Sequence, residues 1–404
     1  MNLLHPAARV VDAATGEILT RELIDAAERE LPEKSPVFLA MTTTVPAIAT
    51  YLAALRAGKP VLLLDPELDQ TSLRARFTTD DVHPDLALLL TTSGSTGDPK
   101  LVRLSRAAVL ANAEQVAESL GITGDDVAIT TLPLFYSYGL SVLHSHLLRG
   151  ATVILERTGI MQKDFWTAVN EHAVTSMAFV PSQYEMLRRL RFDPAKYPSL
   201  RTLTQAGGRL RAELIDDFAA RMSTVDGRMF VMYGQTEAGP RMACLPSSSL
   251  TAKSGSVGLA MPGATFAIED DEVVYRGPNV MMGYAETAAD LARGDDQGGV
   301  LRTGDLGRLD DDGFLFLTGR IKRIGKVFGV RINLDDVERE FPVVAVAGDD
   351  KLHVFTLDTD TRALRTKIAE WLGTHFTGVD VRTIEALPLL PNGKTDYRAL
   401  EASL

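Results

Sequence analysis

Apolar residues occur along this chain in short unbroken runs, separated by longer stretches in which they recur at helical spacing. The runs are Val61 to Leu64, Leu86 to Leu90, Val127 to Thr131, Ala151 to Leu155, Ser176 to Val180, Leu200 to Gln205 and Arg228 to Met232. Runs of this length without polar alternation predict strands buried on both faces, as in a parallel sheet. Between them the pattern predicts helices. Val45 to Ala57 is one, ended by Gly58. Ser105 to Leu120 is another, with Ser105 as N-cap and Gly121 as stop. Tyr138 to Leu148, a helix capped by Asp164 and running to His172, a helix opened by Pro181, and Arg211 to Met222 follow. Pro36 to Met41 reads as an additional strand, and residues 1 to 35 carry no pattern. The alternation predicts an α/β fold: a large N-terminal domain with mostly parallel sheets covered by helices.

The texture changes near Gly255. Thr265 to Ile268, Val273 to Tyr275, Leu306 to Leu309 and Phe314 to Leu317 are short strands between Gly and Asp turns, which predicts a small antiparallel β subdomain over 255–320. A basic cluster, Arg320 to Lys326, then opens a compact α+β segment with helices at Leu334 to Phe341 and Thr361 to His375. The expected organisation is therefore a core over 1–320 and a small, mobile C-terminal domain over 321–404.

Composition narrows the class. The 404 residues, 45% apolar and 24% charged, are those of an ordinary globular protein. A net charge of −11 argues against nonspecific nucleic-acid binding. A single cysteine, Cys244, excludes an intramolecular disulfide and any multi-cysteine metal site, and fits a reducing, cytoplasmic setting. No signal peptide, membrane-spanning run or repeat is visible.

In parallel sheets, ligands collect at the C-terminal ends of strands. Three such ends carry small or functional residues. After Leu90 comes Thr91-Thr92-Ser93-Gly94-Ser95-Thr96-Gly97-Asp98-Pro99-Lys100. Its glycines allow close backbone approach, its hydroxyls and amides donate, and Lys100 adds charge, which suits a polyphosphate. It is not a Walker A loop, because Pro99 rather than glycine precedes the lysine. By itself such a turn is as often a plain polar loop. The other two ends are Ala206-Gly207-Gly208-Arg209 and Tyr233-Gly234-Gln235-Thr236-Glu237.

The order of motifs resembles the adenylate-forming, AMP-binding enzymes: acyl-CoA and aryl-CoA synthetases, adenylation domains of peptide synthetases, and luciferases. The loop above is similar to their phosphate signature. Met232 to Glu237 is similar to their aromatic-Gly-x-Thr-Glu motif, and Arg302-Thr303-Gly304-Asp305 to their Thr-Gly-Asp motif. Gly319-Arg320 with Lys322 and Lys326 resembles the hinge motif, and Leu390 to Asp396 the C-terminal lysine motif. Five motifs in one order, from residue 91 to 396, are specific together where none is alone.

The resemblance implies ATP-dependent activation of a carboxylic acid to an acyl-adenylate with release of pyrophosphate, then thioester formation. It gives nucleotide-binding roles to Thr92, Ser93, Gly94, Ser95, Thr96, Gly97 and Lys100. It extends them to Gly207, Gly208 and Arg209, to Tyr233, Gly234 and Gln235, to Asp305 at the ribose and to Arg320. Glu237 becomes the Mg²⁺ residue, consistent with a hard cation held by one carboxylate, water and phosphate oxygens. Lys394 bridges carboxylate and phosphate as the adenylate forms, with Thr236 and Lys326 carried over as further catalytic positions. Lys322 is the hinge about which the C-terminal domain rotates, bringing Gly325 and Gly329 to line a thiol tunnel. Phe135, Tyr136, Tyr138 and Gly139, within Pro133 to Leu140, resemble the acyl-pocket motif, which contains no basic residue. His144 and His146, two apart on a helix, do not share a face and are not read as metal ligands.

Relative to typical members, the phosphate loop comes early, so the N-terminal region is expected to be reduced. Implied cofactors are ATP, Mg²⁺ and coenzyme A or phosphopantetheine. The implied partners are a small carboxylic acid and, if coenzyme A is not the acceptor, a separate carrier protein. Transfer of the adenylate to an amine or hydroxyl acceptor, and a non-catalytic nucleotide-binding scaffold, remain as alternatives.

Overall fold

The computed structural model describes residues 3–91, 100–328, 330–348, 350–391 and 393–404. The chain forms two compact units, one of residues 1–265 and 275–301, the other of 266–274 and 302–404.

The first unit contains two sheets. A five-stranded sheet has the order Gly283–Ala285, Leu101–Ser105, Leu86–Thr91, Val61–Leu64, Val37–Ala40. Its last three strands are parallel, and Val61–Leu64 is buried throughout. The helix Val45–Arg56 makes the crossover, with the Thr44 side chain accepting from the Ala47 amide as N-cap. The unbroken apolar run is thus explained by burial on both faces. Leu101–Ser105 and Gly283–Ala285 add two antiparallel strands. The helix Arg106–Leu120 starts and stops as its sequence predicts: Ser105 accepts from the Ala108 amide and Gly121 adopts a left-handed φ of 66°.

The second sheet has eight strands, ordered Arg9–Asp12, Thr152–Leu155, Val127–Ile129, Ser176–Phe179, Thr202–Gln205, Arg228–Tyr233, Ala243–Leu245, Leu259–Ala260. The first six are parallel and the last two antiparallel. From Val127–Ile129 the chain crosses first to one side, then to the other. This is a topological switch point, where a crevice opens beyond the strand ends.

Two local expectations are corrected. Residues 1 to 35 are patterned after all: Arg9–Asp12 is the edge strand and Arg21–Arg29 a helix capped by Thr20. Four residues beside polar neighbours give no periodicity, and their strand exists because Thr152–Leu155 offers it an edge. The predicted cap Asp164 lies inside the first turn of Lys163–Glu171, with Gln162 at the cap position. There its charge still complements the helix N-terminus.

The second unit holds most of a four-stranded sheet, ordered Thr265–Glu269, Glu272–Arg276, Val300–Leu309, Leu315–Arg320. It also holds a hairpin, Ile324–Val327 with Val330–Asn333, and a three-stranded sheet, Val344–Ala347, Leu352–Thr356 and Val379–Thr383. The helices Leu334–Glu340 and Thr361–Leu372 pack on the last sheet through Leu334, Val337, Ile368 and Ala369.

Candidate active site

The phosphate-loop positions Thr92, Ser93, Gly94, Ser95, Thr96 and Gly97 lie outside the described residues, as does Gly329. Lys100, just beyond the loop, is exposed. It forms an ion pair with Glu286 at 2.5 Å and stands 5.9 Å from the centre of the Tyr284 ring. Both partners come from the neighbourhood of Gly283–Ala285, which pairs with Leu101–Ser105 so that Tyr284 faces Val102. The Tyr284 hydroxyl donates to Glu237 Oε1 at 2.8 Å.

Glu237 sits on a short turn of helix, Thr236–Ala238, directly after the strand Arg228–Tyr233. The path between them is tight. A Cβ on Gly234 would stand 1.7 Å from the Pro240 carbonyl oxygen, so only glycine fits. Tyr233 is buried, and Gln235 is partly exposed. Buried amides pin the turn from behind. Asn279 donates to the carbonyls of Ala238 (2.6 Å) and Arg241 (2.9 Å), and Asn112 also donates to the Arg241 carbonyl (3.0 Å). Tyr275 in turn donates to Asn279 Oδ1. A turn fixed by this many side-chain bonds holds its carboxylate in place, which a metal-binding or phosphate-facing residue requires.

Two other predicted motifs meet here. The Thr236 and Ser137 hydroxyls are 3.2 Å apart, joining the Thr-Glu turn to the acyl motif. Gly207, at φ 83°, follows the strand Thr202–Gln205. A Cβ there would lie 2.7 Å from the Tyr136 hydroxyl and 3.7 Å from Tyr138 Cδ1. The proposed base-binding glycine therefore rests against the two tyrosines of the acyl motif. Gly208 and Arg209 are exposed, with the Gly208 carbonyl held by Gln205 Nε2 at 2.7 Å. Gly139 lets the helix Ser137–Leu148 start close to the preceding loop, since a Cβ would meet the Pro133 carbonyl oxygen at 2.4 Å. Phe135 is half-buried. Burial raises the pKa of both Tyr136 and Tyr138, and Tyr138 is hydrogen-bonded to Thr204 Oγ1 at 3.0 Å.

Sequence patterning missed Arg241. The acyl motif itself is free of basic residues, but the chain brings Arg241 over the Tyr138 ring, 4.0 Å from its centre. A signal existed: an isolated arginine between Pro240 and the apolar run Met242 to Leu245. His144 and His146 are buried helix residues, bonded to the Tyr51 hydroxyl and to Ser176 respectively.

In the second unit, Asp305 and Arg320 are partners in adjacent strands and form an ion pair at 3.1 Å. Lys322 and Lys326 are exposed, on a short helical turn and on the hairpin. Gly325 is buried, and a Cβ there would approach the Ala347 side chain to 2.9 Å. Lys394 is partly exposed beside a turn in which the Leu390 amide bonds to the Lys394 carbonyl and the Gly393 amide to the Leu390 carbonyl, each at 2.8 Å.

Among the described residues no group of three or more His, Cys, Asp or Glu side chains is arranged to hold a metal. Glu237 accepts one bond from Tyr284 and keeps lone pairs free. This donor set fits a cation that takes one carboxylate and fills its shell with water and phosphate oxygens, as Mg²⁺ does. Among the described residues no helix is long and apolar enough to cross a membrane.

Several known proteins resemble this chain. The family model "AMP-binding enzyme" matches residues 74–285. A feruloyl-CoA synthase from an Amycolatopsis species is 33% identical over 272 residues, covering 61% of this chain and 52% of that protein. The 4-coumarate–CoA ligase 3 of Oryza sativa subsp. japonica is 32% identical over 315 residues, covering 70% and 56%. The chain thus spans about half the length of the curated relatives it matches. The o-succinylbenzoate CoA synthetase of Bacillus subtilis, solved with its acyl-adenylate intermediate, superposes with a TM-score of 0.77 at 22% identity, over 97% of this chain and 94% of that one. The fold is that of the adenylating enzymes, and the chain belongs to the AMP-binding enzyme family.

Proposed function

We propose that this protein is an ATP-dependent acid–thiol ligase. A carboxylate oxygen of the acid attacks the α-phosphorus of ATP, the bond to the bridging oxygen breaks, and pyrophosphate leaves. A thiolate sulfur then attacks the acyl carbon of the adenylate and AMP departs. The acceptor thiol is coenzyme A or the phosphopantetheine of a separate carrier protein.

One observation carries the reading: Gly207 of the nucleotide motif lies against Tyr136 and Tyr138 of the acyl motif, and Ser137 joins that motif to Thr236. A nucleotide and an acid held by these residues would be neighbours, and proximity is what a displacement between two anions needs. Lys100 supplies positive charge, and Glu237 with phosphate oxygens and water would hold Mg²⁺, which offsets charge on the phosphates. Asp305, paired with Arg320, offers acceptor oxygens to the ribose diol. Lys394 is assigned the first step and Lys322 the hinge, with 321–404 as the mobile domain. Normal adenylation and thioesterification rates in a Lys322→Pro variant would count against the hinge.

The direct test is pyrophosphate release from ATP across fatty, aryl, dicarboxylic and amino acids, with and without coenzyme A. Acid-dependent release accelerated by coenzyme A is the expected result. Absence of release with every acid, in protein that still binds ATP, would refute the catalytic reading.

A further inference from the structure

Arg103 lies fully buried in the strand Leu101–Ser105, and its guanidinium is bonded to a single stretch of chain, residues 282–296. Nη1 donates to the carbonyls of Arg293 (2.5 Å) and Gly294 (3.2 Å). Nη2 donates to the Met282 carbonyl (3.1 Å) and pairs with Asp296 Oδ2 (2.6 Å), while Nε has no partner. The backbone closes the same stretch: the Met282 amide donates to the Arg103 carbonyl, and the Asp296 amide to the Met282 carbonyl. Gly283, at φ 127°, rests on the pair. A Cβ there would stand 3.0 Å from both Arg103 Nη2 and Asp296 Oδ2. Both ends of the excursion 282–296 are thus gathered onto one side chain of the sheet. A buried ion pair adds little stability over apolar residues of the same volume, so this one calls for a reason beyond stability.

The excursion leads from this pair to the site. Asp296 Oδ2 also takes Arg293 Nη2 at 2.9 Å, and Arg293 Nη1 reaches Asp290 Oδ1 at 3.3 Å. Asp290 Oδ2 in turn accepts from the amides of Glu286 (2.9 Å) and Thr287 (2.8 Å). One network therefore runs from the buried guanidinium to the backbone of Glu286. Within it, Tyr284 donates to Glu237 and Glu286 pairs with Lys100. The strand that carries Tyr284, Gly283–Ala285, has only three residues and lies at the edge of its sheet. Arg293 is half exposed, so its links contribute little by themselves. The buried end of the network is the part able to fix the rest.

Building on the reading of Glu237 and Lys100 as the Mg²⁺ and phosphate residues, we propose that Arg103 and Asp296 are a positioning pair for Mg–ATP. They touch no substrate. They set where Tyr284 and Glu286 stand, and through those two they set Glu237 and Lys100. The planar fork of arginine suits this task, because it gathers three carbonyls and a carboxylate in one fixed geometry. A site held in place by such supporting bonds binds its ligand without reorganising first. Loosening the pair weakens Mg–ATP binding and leaves the acid's contacts at Tyr136 and Tyr138 as they are.

Asp296 is the partner to change, since its side chain is partly exposed and that of Arg103 is not. Asp296→Ala removes the carboxylate, and Asp296→Asn keeps an acceptor oxygen without the charge. Equilibrium binding of Mg–ATP, the acid's KM and the melting temperature are measured for both, and for Tyr284→Phe with and without Asp296→Ala. Melting curves establish that each variant is folded at the assay temperature, and if Asp296→Ala is not, Asp296→Asn carries the same comparisons. Asp296→Ala should weaken Mg–ATP binding by about threefold to tenfold, Asp296→Asn by less, and neither should move the acid's KM. In the Tyr284→Phe background the added loss should be smaller, because the two changes act through one contact. A lowered melting temperature with unchanged Mg–ATP affinity marks a purely structural role and overturns the proposal. So does an equal loss in both backgrounds, or an equal rise in the acid's KM. If the wild type binds no Mg–ATP, the nucleotide reading fails and amide hydrogen exchange of the free protein decides this one. Faster exchange in Asp296→Ala at both 283–286 and 236–238 supports it, and unchanged exchange at 236–238 refutes it.

Discussion

The Tyr284 hydroxyl donates to Glu237 Oε1 at 2.8 Å. This bond ties the strand Gly283–Ala285 to the turn after Arg228–Tyr233, and the same tyrosine ring stands beside Lys100. Burial and the adjacent Glu237 carboxylate raise the Tyr284 pKa, so the phenol remains a donor throughout the range in which the protein would be assayed. A hydrogen bond to a charged group contributes about 1.5–3 kcal/mol when well buried. Tyr284 is 38% exposed, which places this one at or below the lower end. Tyr284→Phe removes the bond and keeps the ring. The apparent KM for Mg-ATP should rise by about tenfold or less, with the acid's KM unchanged. Titrating Mg²⁺ at fixed ATP in the pyrophosphate assay checks this, and an unaltered Mg²⁺ requirement would remove Tyr284 from the site.

Gly139 sets how closely the acyl-motif helix meets the loop before it. The atom opposing a Cβ is the Pro133 backbone oxygen at 2.4 Å, which cannot swing aside as a side chain can. Gly139→Ala should therefore destabilise the protein by about 1–3 kcal/mol. For a chain of this size that lowers the melting temperature by about 1–2 °C per kcal/mol. Tyr136 and Tyr138 would shift with the helix, so the acid's KM should rise as well. Gly294→Ala is the control, because its nearest atom is His83 Nε2 at 3.7 Å and its φ is ordinary. Equal melting temperatures for the two variants would show that the helix start is pliant.

Much of this was legible in the sequence. Strands such as Val61–Leu64 are buried on both faces and announce themselves as continuous apolar runs. Ser105 and Gly121 mark the helix Arg106–Leu120 because cap chemistry is local. The unreadable parts depend on residues far apart. Leu101–Ser105 looks like the tail of a loop, since it contains Arg103, whose charge is acceptable only because Asp296 arrives from 193 positions away. Arg241 poses the same problem. Its place over Tyr138 joins residues about a hundred positions apart, and no spacing rule reaches that far.

Lys394 separates catalysis from binding. A lysine is a mobile point charge able to neutralise two anions at once, which a nucleotide-binding scaffold would not need. Lys394→Ala should retain ATP binding within about twofold while pyrophosphate release falls by about a hundredfold or more, the size of loss seen when one charge-stabilising group is removed from an active site. Equilibrium binding of ATP and acid-dependent release, measured on the same preparation, give the two numbers. Release at the wild-type rate would rule out the bridging role.

The pair His144 and Tyr51 makes a prediction about pH. Burial lowers the His144 pKa from 6.5 to about 3, and burial alone raises that of Tyr51, so a neutral imidazole and a protonated phenol share the 2.8 Å bond. The unfolded chain takes up a proton at this histidine near pH 6.5, whereas the folded chain does so only near 3. Stability from this site is therefore complete above pH 6.5 and is lost as the pH falls towards 3, with a limiting slope of about 1.4 kcal/mol per pH unit. His146, also depressed by burial, adds a contribution of the same sign. Unfolding free energies from denaturant titrations taken between pH 7 and pH 5 should decline, approaching this slope as the pH falls. His144→Gln keeps a neutral hydrogen-bonding group near Tyr51 without the titration, and should flatten the decline by up to one proton's worth. A pH dependence identical to wild type would mean that His144 is protonated within the fold, and that the helix Ser137–Leu148 opens to water more readily than its burial indicates.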